Sequence, residues 1–313
     1  MATQQSSSVV LTVQPRSFGF DVQTARTNTF QNSPQLSESN VRLRANSEFT
    51  QAVAVLRQHG ITVEVYQPQD TLDKPNAVFP NNWVTTWPDG SVYIYPMATK
   101  SRRVERDMAV FTMLSQSYDI RRVMDISASE ANARYLEGTG VMVFDHDNKV
   151  AYGCLSVRCD ESLFREHART LGYKPITFHA YDTNGVAIYH TNVMMGIQSR
   201  TAVVCSSIIR DETERTRLLA TLQKTHRDIV EISEEQMIAF CGNVLELRNG
   251  QGDYFLALSQ SAYDHFTPRQ REVLSQDKTL LPLAIPTIES VGGGSVRCML
   301  AEVFLPARNR SVV

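Results

Sequence analysis

The sequence predicts an α/β fold, a propeller of five ββαβ units. Three observations lead there. Five short segments align under one another: FPNNWVTTW, LEGTGVMVF, YHTNVMMGI, FCGNVLELR and GGGSVRCML. Each is a small or polar residue followed by an apolar, strand-like run. Marked by that residue, they fall at Asn82, Gly140, Asn192, Asn243 and Ser295, in steps of 58, 52, 51 and 52 residues. A period near 50 in a chain of 313 residues reads as a propeller or array of supersecondary units. The second observation is that strand, strand, helix and strand follow each of the first four markers. The third is that only a hairpin remains after Ser295, while residues 9–66 supply the strand and helix that the last unit lacks. Both ends of the chain therefore close the fifth unit, which removes open sheet edges.

The elements follow in order. Residues 1–8 are rich in Ser and Gln and are expected to fray. Residues 9–13 are a β-type run ending before Pro15. Residues 18–40 are polar and read as a long loop that covers a pocket as a lid. Phe49, Val53 and Leu56 lie at helical spacing, giving a helix over 46–59 that stops at Gly60, then a strand at 61–66. The second unit has strands 83–87 and 91–95 around the turn Pro88-Asp89-Gly90, helix 102–115 and strand 120–125. The third has strands 140–144 and 149–155, helix 161–171 and strand 174–179. The fourth has 192–197, 201–206, helix 211–225 and strand 228–232. The fifth has 244–248, 254–259, helix 268–275 and strand 279–283. One such unit cannot bury its own apolar face, so residues 1–313 are read as one closed domain.

Composition excludes several functions. With 31 basic and 33 acidic residues and a net charge of −2, there is no basic stripe for a nucleic acid. Apolar runs fall far short of the roughly 20 residues that span a bilayer. The N-terminus MATQQSSSVVLTVQP lacks a signal peptide's features, so a cytoplasmic location is expected. The five cysteines, Cys154, Cys159, Cys205, Cys241 and Cys298, are odd in number and include no C-x-x-C pair. Reduced thiols are expected, four of them as small buried apolar residues. There is no H-E-x-x-H and no clustered Cys/His spacing. No metal or cofactor is therefore expected, and activity should survive a chelator. The remaining partner is a small-molecule amino-acid substrate; the sequence leaves a homodimer open.

Glu137, His190 and Cys298 lie at offsets −3, −2 and +3 from their markers, on three different units. Alone, each has an ordinary structural reading. In a ring, their shared phase brings a carboxylate, an imidazole and a thiol to the centre, a constellation for nucleophilic catalysis. The run Gly292-Gly293-Gly294-Ser295 just before Cys298 lets backbone approach a ligand closely.

Leu136-Glu137-Gly138-Thr139-Gly140 resembles the L-E/D-G-G/T-G/D motif of the guanidino-group-modifying enzymes of the pentein fold. That family includes arginine deiminases, dimethylarginine dimethylaminohydrolases, agmatine deiminases and amidinotransferases. The resemblance covers nearly the whole chain. It implies a five-bladed pentein α/β-propeller with pseudo-fivefold symmetry. It also implies that Cys298 attacks the substrate carbon, His190 shuttles protons and Glu137 holds substrate nitrogens. The signature F-P-N-N-W, residues 79–83, is similar to bacterial citrulline utilization hydrolases. Ser156-Val157-Arg158-Cys159-Asp160 resembles S-x-R-T-[DN], whose arginine grips the substrate α-carboxylate in dimethylargininases; Arg158 would do so here. Residues 101–105 resemble a second arginine-bearing segment, with Arg103 as its candidate, although a solvated helix start explains them equally well.

The chain departs from that pattern at two places. Arginine deiminases carry aspartates where this chain has Asn82 and Asn192. Losing a charge-assisted bond to a guanidinium costs roughly 1.5–3 kcal/mol each. An amide instead offers donor and acceptor without charge, which suits a neutral ureido group. The expected reaction is therefore citrulline to ornithine, CO2 and ammonia. The competing account has Asp89 supply the missing charge, giving an arginine deiminase or dimethylarginine dimethylaminohydrolase. An amidinotransferase is a further alternative. The pentein fold also hosts a non-catalytic ribosome-binding factor.

Overall fold

The computed structural model describes residues 4–226 and 228–308. Its strands form five separate three-stranded sheets. Strands β1 (Val9–Val13) and β2 (Thr62–Tyr66) pair in parallel, with Val9 opposite Thr62. The next sheets share one plan: β3 (Val84–Thr86), β4 (Ser91–Ile94) and β5 (Arg122–Asp125), then β6 (Val143–Asp145), β7 (Val150–Cys154) and β8 (Lys174–Phe178). The plan repeats in β9 (Met195–Ile197), β10 (Thr201–Val204) and β11 (Asp228–Glu231), and in β12 (Leu245–Arg248), β13 (Tyr254–Ser259) and β14 (Thr279–Leu283). In each, the first two strands are antiparallel and the third runs parallel to the second. Finally β15 (Ala301–Glu302) pairs antiparallel with β1, so the first sheet draws on both ends of the chain.

A parallel pair needs a crossover, and helices supply it. They are α1 (Glu38–Gln58), α2 (Ala109–Leu114), α3 (Glu161–Thr170), α4 (Glu212–Thr225) and α5 (Pro268–Leu274). Four of them start at a side-chain cap: Ser37, Asp160, Asp211 and Thr267 each accept a backbone N–H. Inner strands pack in succession, β15 on β3, β6 on β9 and β9 on β12. Apolar clusters fill the space between sheets and helices.

Several expectations need correction. The first crossover helix begins at Glu38, not residue 46, because Ser37 caps it and Val41 and Ala45 extend the buried stripe of Phe49, Ala52, Val53 and Leu56. The preceding segment is correspondingly shorter and contains one helical turn, Val22–Ala25, capped by Asp21. The helix expected over 102–115 is two pieces, Lys100–Arg103 and α2. Arg102 and Glu105 both turn inward there as a buried ion pair. Of the residues expected to fray, 1–3 lie outside the described residues, but Gln5, Ser6 and Ser7 are buried. Gln5 donates to the Phe144 carbonyl at 3.1 Å and accepts from His146 N–H at 2.7 Å. Ser6 Oγ donates to Glu246 at 2.5 Å. This polar segment satisfies backbone and carboxylate groups that would otherwise be buried alone. No described helix is long and apolar enough to cross a membrane.

Candidate active site

The marker positions converge because each sits in the turn that enters an inner strand. Asn82 ends the 3₁₀ turn Pro80–Asn82, and Asn192 lies in the equivalent turn Thr191–Val193. Gly140 lies in the one-turn helix Gly138–Val141, which packs against both turns. Cys298 lies in the one-turn helix Val296–Met299 that follows Ser295. Small residues are required at these approaches. A Cβ on Gly140 would lie 2.4 Å from Asn82 Nδ2 and 2.8 Å from His190 Cε1. Gly138 has φ of 45°, and a Cβ there would meet the Asn81 carbonyl at 2.3 Å.

Glu137 and His190 are joined by a 2.8 Å bond from Nε2 to Oε2. Glu137 also accepts from Ala98 N–H at 2.9 Å and pairs with Arg158 Nη1 at 3.4 Å. Burial alone would raise the Glu137 carboxyl, but Arg158, His190 and Arg102 outweigh it and hold it at about 2. Burial depresses His190 to about 4, against the pull of Glu137. His190 is thus a neutral imidazole whose Nε2–H is committed to the carboxylate. Its Nδ1 lone pair is left on the side of Gly140 and Asn82. Cys298 Sγ sits between two amide groups, 3.4 Å from Asn192 Nδ2 and 3.3 Å from Asn243 Nδ2. The other four cysteines are buried, and burial pushes Cys154 and Cys241 up to about 12.

Thr24, Asn28, Asn82, Arg102, Arg158, Tyr189, His190 and Cys298 line one small cavity of about 20 Å³, room for about one water. The segment after Phe18 covers it. Arg158 donates to Thr27 Oγ1 at 2.7 Å and to the Thr24 carbonyl at 3.2 Å, and its guanidinium lies 4.8 Å from the centre of the Tyr189 ring. Asn28 Nδ2 reaches the Gly293 carbonyl at 3.0 Å.

Two candidates fall elsewhere. Arg103 points away from the cavity, bonding the Met97 carbonyl and pairing with Glu130 at 3.1 Å. Its neighbour Arg102 is the one that turns inward, since successive helical residues face different sides. Arg102 donates to Asn82 Oδ1 at 2.5 Å and to Glu105 at 2.7 Å. Asp89 stays at its hairpin turn, half exposed and paired with Arg122 at 2.5 Å, so it supplies no charge to the cavity. Sequence reasoning missed Arg102 and Asn243. For Asn243 the signal was present, because it is itself a marker residue. Among the described residues, no group of three or more His, Cys, Asp or Glu could hold a metal.

A family model, "N,N dimethylarginine dimethylhydrolase, eukaryotic", matches residues 14–305. The chain belongs to that family. That places it among the guanidino-group-modifying enzymes of the pentein superfamily. No curated protein matches it by sequence. Among solved structures it is similar to ArgZ, an arginine dihydrolase from the ornithine-ammonia cycle in cyanobacteria, with 14% identity and a TM-score of 0.73. That match covers 96% of this chain and 41% of ArgZ. The N-terminal domain of ArgZ bound to its substrate matches at 13% identity and a TM-score of 0.72, over 95% of this chain and 99% of the domain. A dimethylarginine dimethylaminohydrolase adduct with 4-chloro-2-hydroxymethylpyridine matches at 14% identity and a TM-score of 0.64, over 94% and 99%. At such identities the likeness is one of fold, a mixed α/β arrangement of small sheets.

Proposed function

We propose that this family member is a citrulline ureidase, converting citrulline and water to ornithine, CO2 and ammonia on a five-bladed propeller. One observation carries the reading. Arg102 can only donate, so its bond to Asn82 Oδ1 fixes the amide's orientation. Asn82 Nδ2, buried and without a protein partner, is thereby a donor facing the cavity. A ureido carbonyl oxygen accepts such a bond; a guanidinium carries no acceptor. Charge balance agrees. Arg102 is matched by Glu105 and Arg158 by Glu137, leaving no free carboxylate among them for a buried cation.

In this scheme the proton of Cys298 passes to His190 and the sulfur adds to the ureido carbon. Asn82 Nδ2 donates to the oxyanion that forms. His190 returns the proton to the departing nitrogen, the C–N bond breaks, and ornithine leaves an S-carbamoyl enzyme. Water, deprotonated by His190, then releases carbamate, which decomposes to CO2 and ammonia. Glu137 holds the His190 tautomer and keeps one lone pair for a substrate N–H. Arg158 is the cation available to the substrate α-carboxylate once Thr24 and Thr27 withdraw.

A second reading, hydrolysis of arginine or dimethylarginine, draws on the family description and on Asn192 Oδ1, a buried acceptor without a protein partner. Offering L-citrulline, L-arginine and dimethylarginine separately decides between them. Ornithine and ammonia from citrulline are expected. Arginine turned over much faster than citrulline would overturn the proposal.

A further inference from the structure

We infer that Asn243 is a catalytic residue, an amide donor that stabilises the negative charge the Cys298 sulfur takes on as its proton passes to His190. The inference rests on Cys298 being the nucleophile but not on which substrate it attacks. Three observations support it. The first is orientation. Asn243 Oδ1 accepts from the backbone N–H of Arg297 at 3.0 Å, and a backbone N–H can only donate. The amide is therefore fixed with Nδ2 toward the interior. There it donates to the Asn192 carbonyl at 2.9 Å and to Cys298 Sγ at 3.3 Å. An acceptor cannot be turned toward the sulfur without breaking the bond to Arg297.

The second is the surroundings. Asn243 is fully buried. The titratable and charged groups around the cavity are Glu137, His190, Tyr189, Arg102 and Arg158. His190 is neutral at rest, Arg102 pairs with Glu105, and Arg158 is held by Glu137, Thr24 and Thr27, none of these bonds reaching the sulfur. The Arg297 guanidinium turns to the Leu300 carbonyl and Glu302. The fixed amide dipoles are therefore the groups set directly against the sulfur. Asn192 Nδ2 at 3.4 Å is the other one.

The third is the backbone that delivers it. Asn243 N–H bonds the Phe240 carbonyl in a tight turn, and Phe240 has φ of 63°, in the left-handed region that bulky residues avoid. Gly242 packs so closely that a Cβ would lie 2.4 Å from the Val193 carbonyl. Strain of this kind persists where the surroundings over-determine it, commonly at functional sites.

The test is alkylation of Cys298 by iodoacetamide, followed by peptide mass spectrometry. Asn243→Ala should slow alkylation at neutral pH about tenfold, with the rate recovering as pH rises; tenfold corresponds to about 1.36 kcal/mol. Asn243→Asp, isosteric and still able to accept from Arg297, should slow it further, because an acceptor then faces the sulfur. Both variants should lose kcat with KM little changed. Wild-type protein labelled with 15N-asparagine gives a readout that no folding defect affects. Two side-chain amides should shift as pH rises, and neither should shift in Cys298→Ser. Wild-type alkylation rates in the folded variants, or no shifting amide in the wild type, would overturn the inference. Full turnover by Cys298→Ser would instead overturn the nucleophile itself.

Discussion

Asn82→Asp isolates the feature that separates a ureido from a guanidinium substrate. The change is isosteric and keeps the bond from Arg102, which gains charge assistance. Its effect is to convert Nδ2, the donor facing the cavity, into an acceptor. Removing one oxyanion donor costs roughly 2.7–4 kcal/mol, or a hundred- to a thousandfold in kcat. For a guanidinium the same change adds a charge-assisted acceptor worth about 1.5–3 kcal/mol. Taking the low end of each, the preference for citrulline over arginine should fall by about 4 kcal/mol, roughly a thousandfold. The assay is kcat/KM for both substrates by direct quantification of ornithine and citrulline, with thermal melting as the fold control. Citrulline turnover within about threefold of wild type, in a folded variant, would refute the donor argument. So would equal losses on both substrates.

Four further outcomes are expected. Arg102→Ala should abolish activity and destabilise the protein by about 3–5 kcal/mol, because it strands Glu105 as a buried charge; Arg103→Ala should leave kcat/KM near wild type, and steady-state kinetics with melting curves check both. Gly140→Ala forces a methyl group against Asn82 and His190, so about 1–3 kcal/mol of stability and most of the activity should go, read by urea titration and kcat. The acid limb of kcat/KM should fall near pH 4, where His190 is protonated, and a limb near pH 6.5 would contradict the burial argument. The same shift makes stability fall as pH drops from 6.5 toward 4, since the unfolded chain binds that proton first, whereas the contribution of Glu137 is present above 4.5 and lost only as pH falls through about 2.

What the sequence made legible was whatever repeats. Strand, hairpin and crossover recur with period, so the five units and the order of strand, strand, helix and strand along each could be read from apolar runs and turn residues. The phase of Glu137, His190 and Cys298 was readable for the same reason. Features outside the period were not. Ser37 and the first two turns of α1 look like loop, because they are mostly polar and their apolar Val41, Leu43 and Ala45 alternate instead of following a helical spacing. Gln5 to Ser7 look frayed, because no local signal reports that a terminal segment threads between sheets and satisfies groups 139–240 residues away. Short helices such as Glu234–Ile238 and Pro286–Gly292 carry too few turns for a periodicity to appear.

The choice between Arg102 and Arg103 shows a sharper limit. A motif places both arginines at one helix start, and neighbouring helical residues point about 100° apart. Composition cannot say which one enters the cavity; the buried Glu105 three residues on can, since i and i+3 share a face. That rule was available in the sequence, as Arg102-Arg103-Val104-Glu105. The same logic explains the markers themselves. Asn82, Asn192 and Asn243 occupy one phase, yet each amide meets a different partner: Oδ1 of the first accepts from Arg102, Nδ2 of the second donates to the Cys298 sulfur and Oδ1 of the third accepts from the Arg297 backbone. A repeat delivers equivalent backbone positions, and the non-repeating neighbours decide what each side chain presents. In the proposed scheme, discrimination between a ureido and a guanidinium substrate would therefore rest on the neighbour that fixes the Asn82 amide, Arg102, as much as on the asparagine itself.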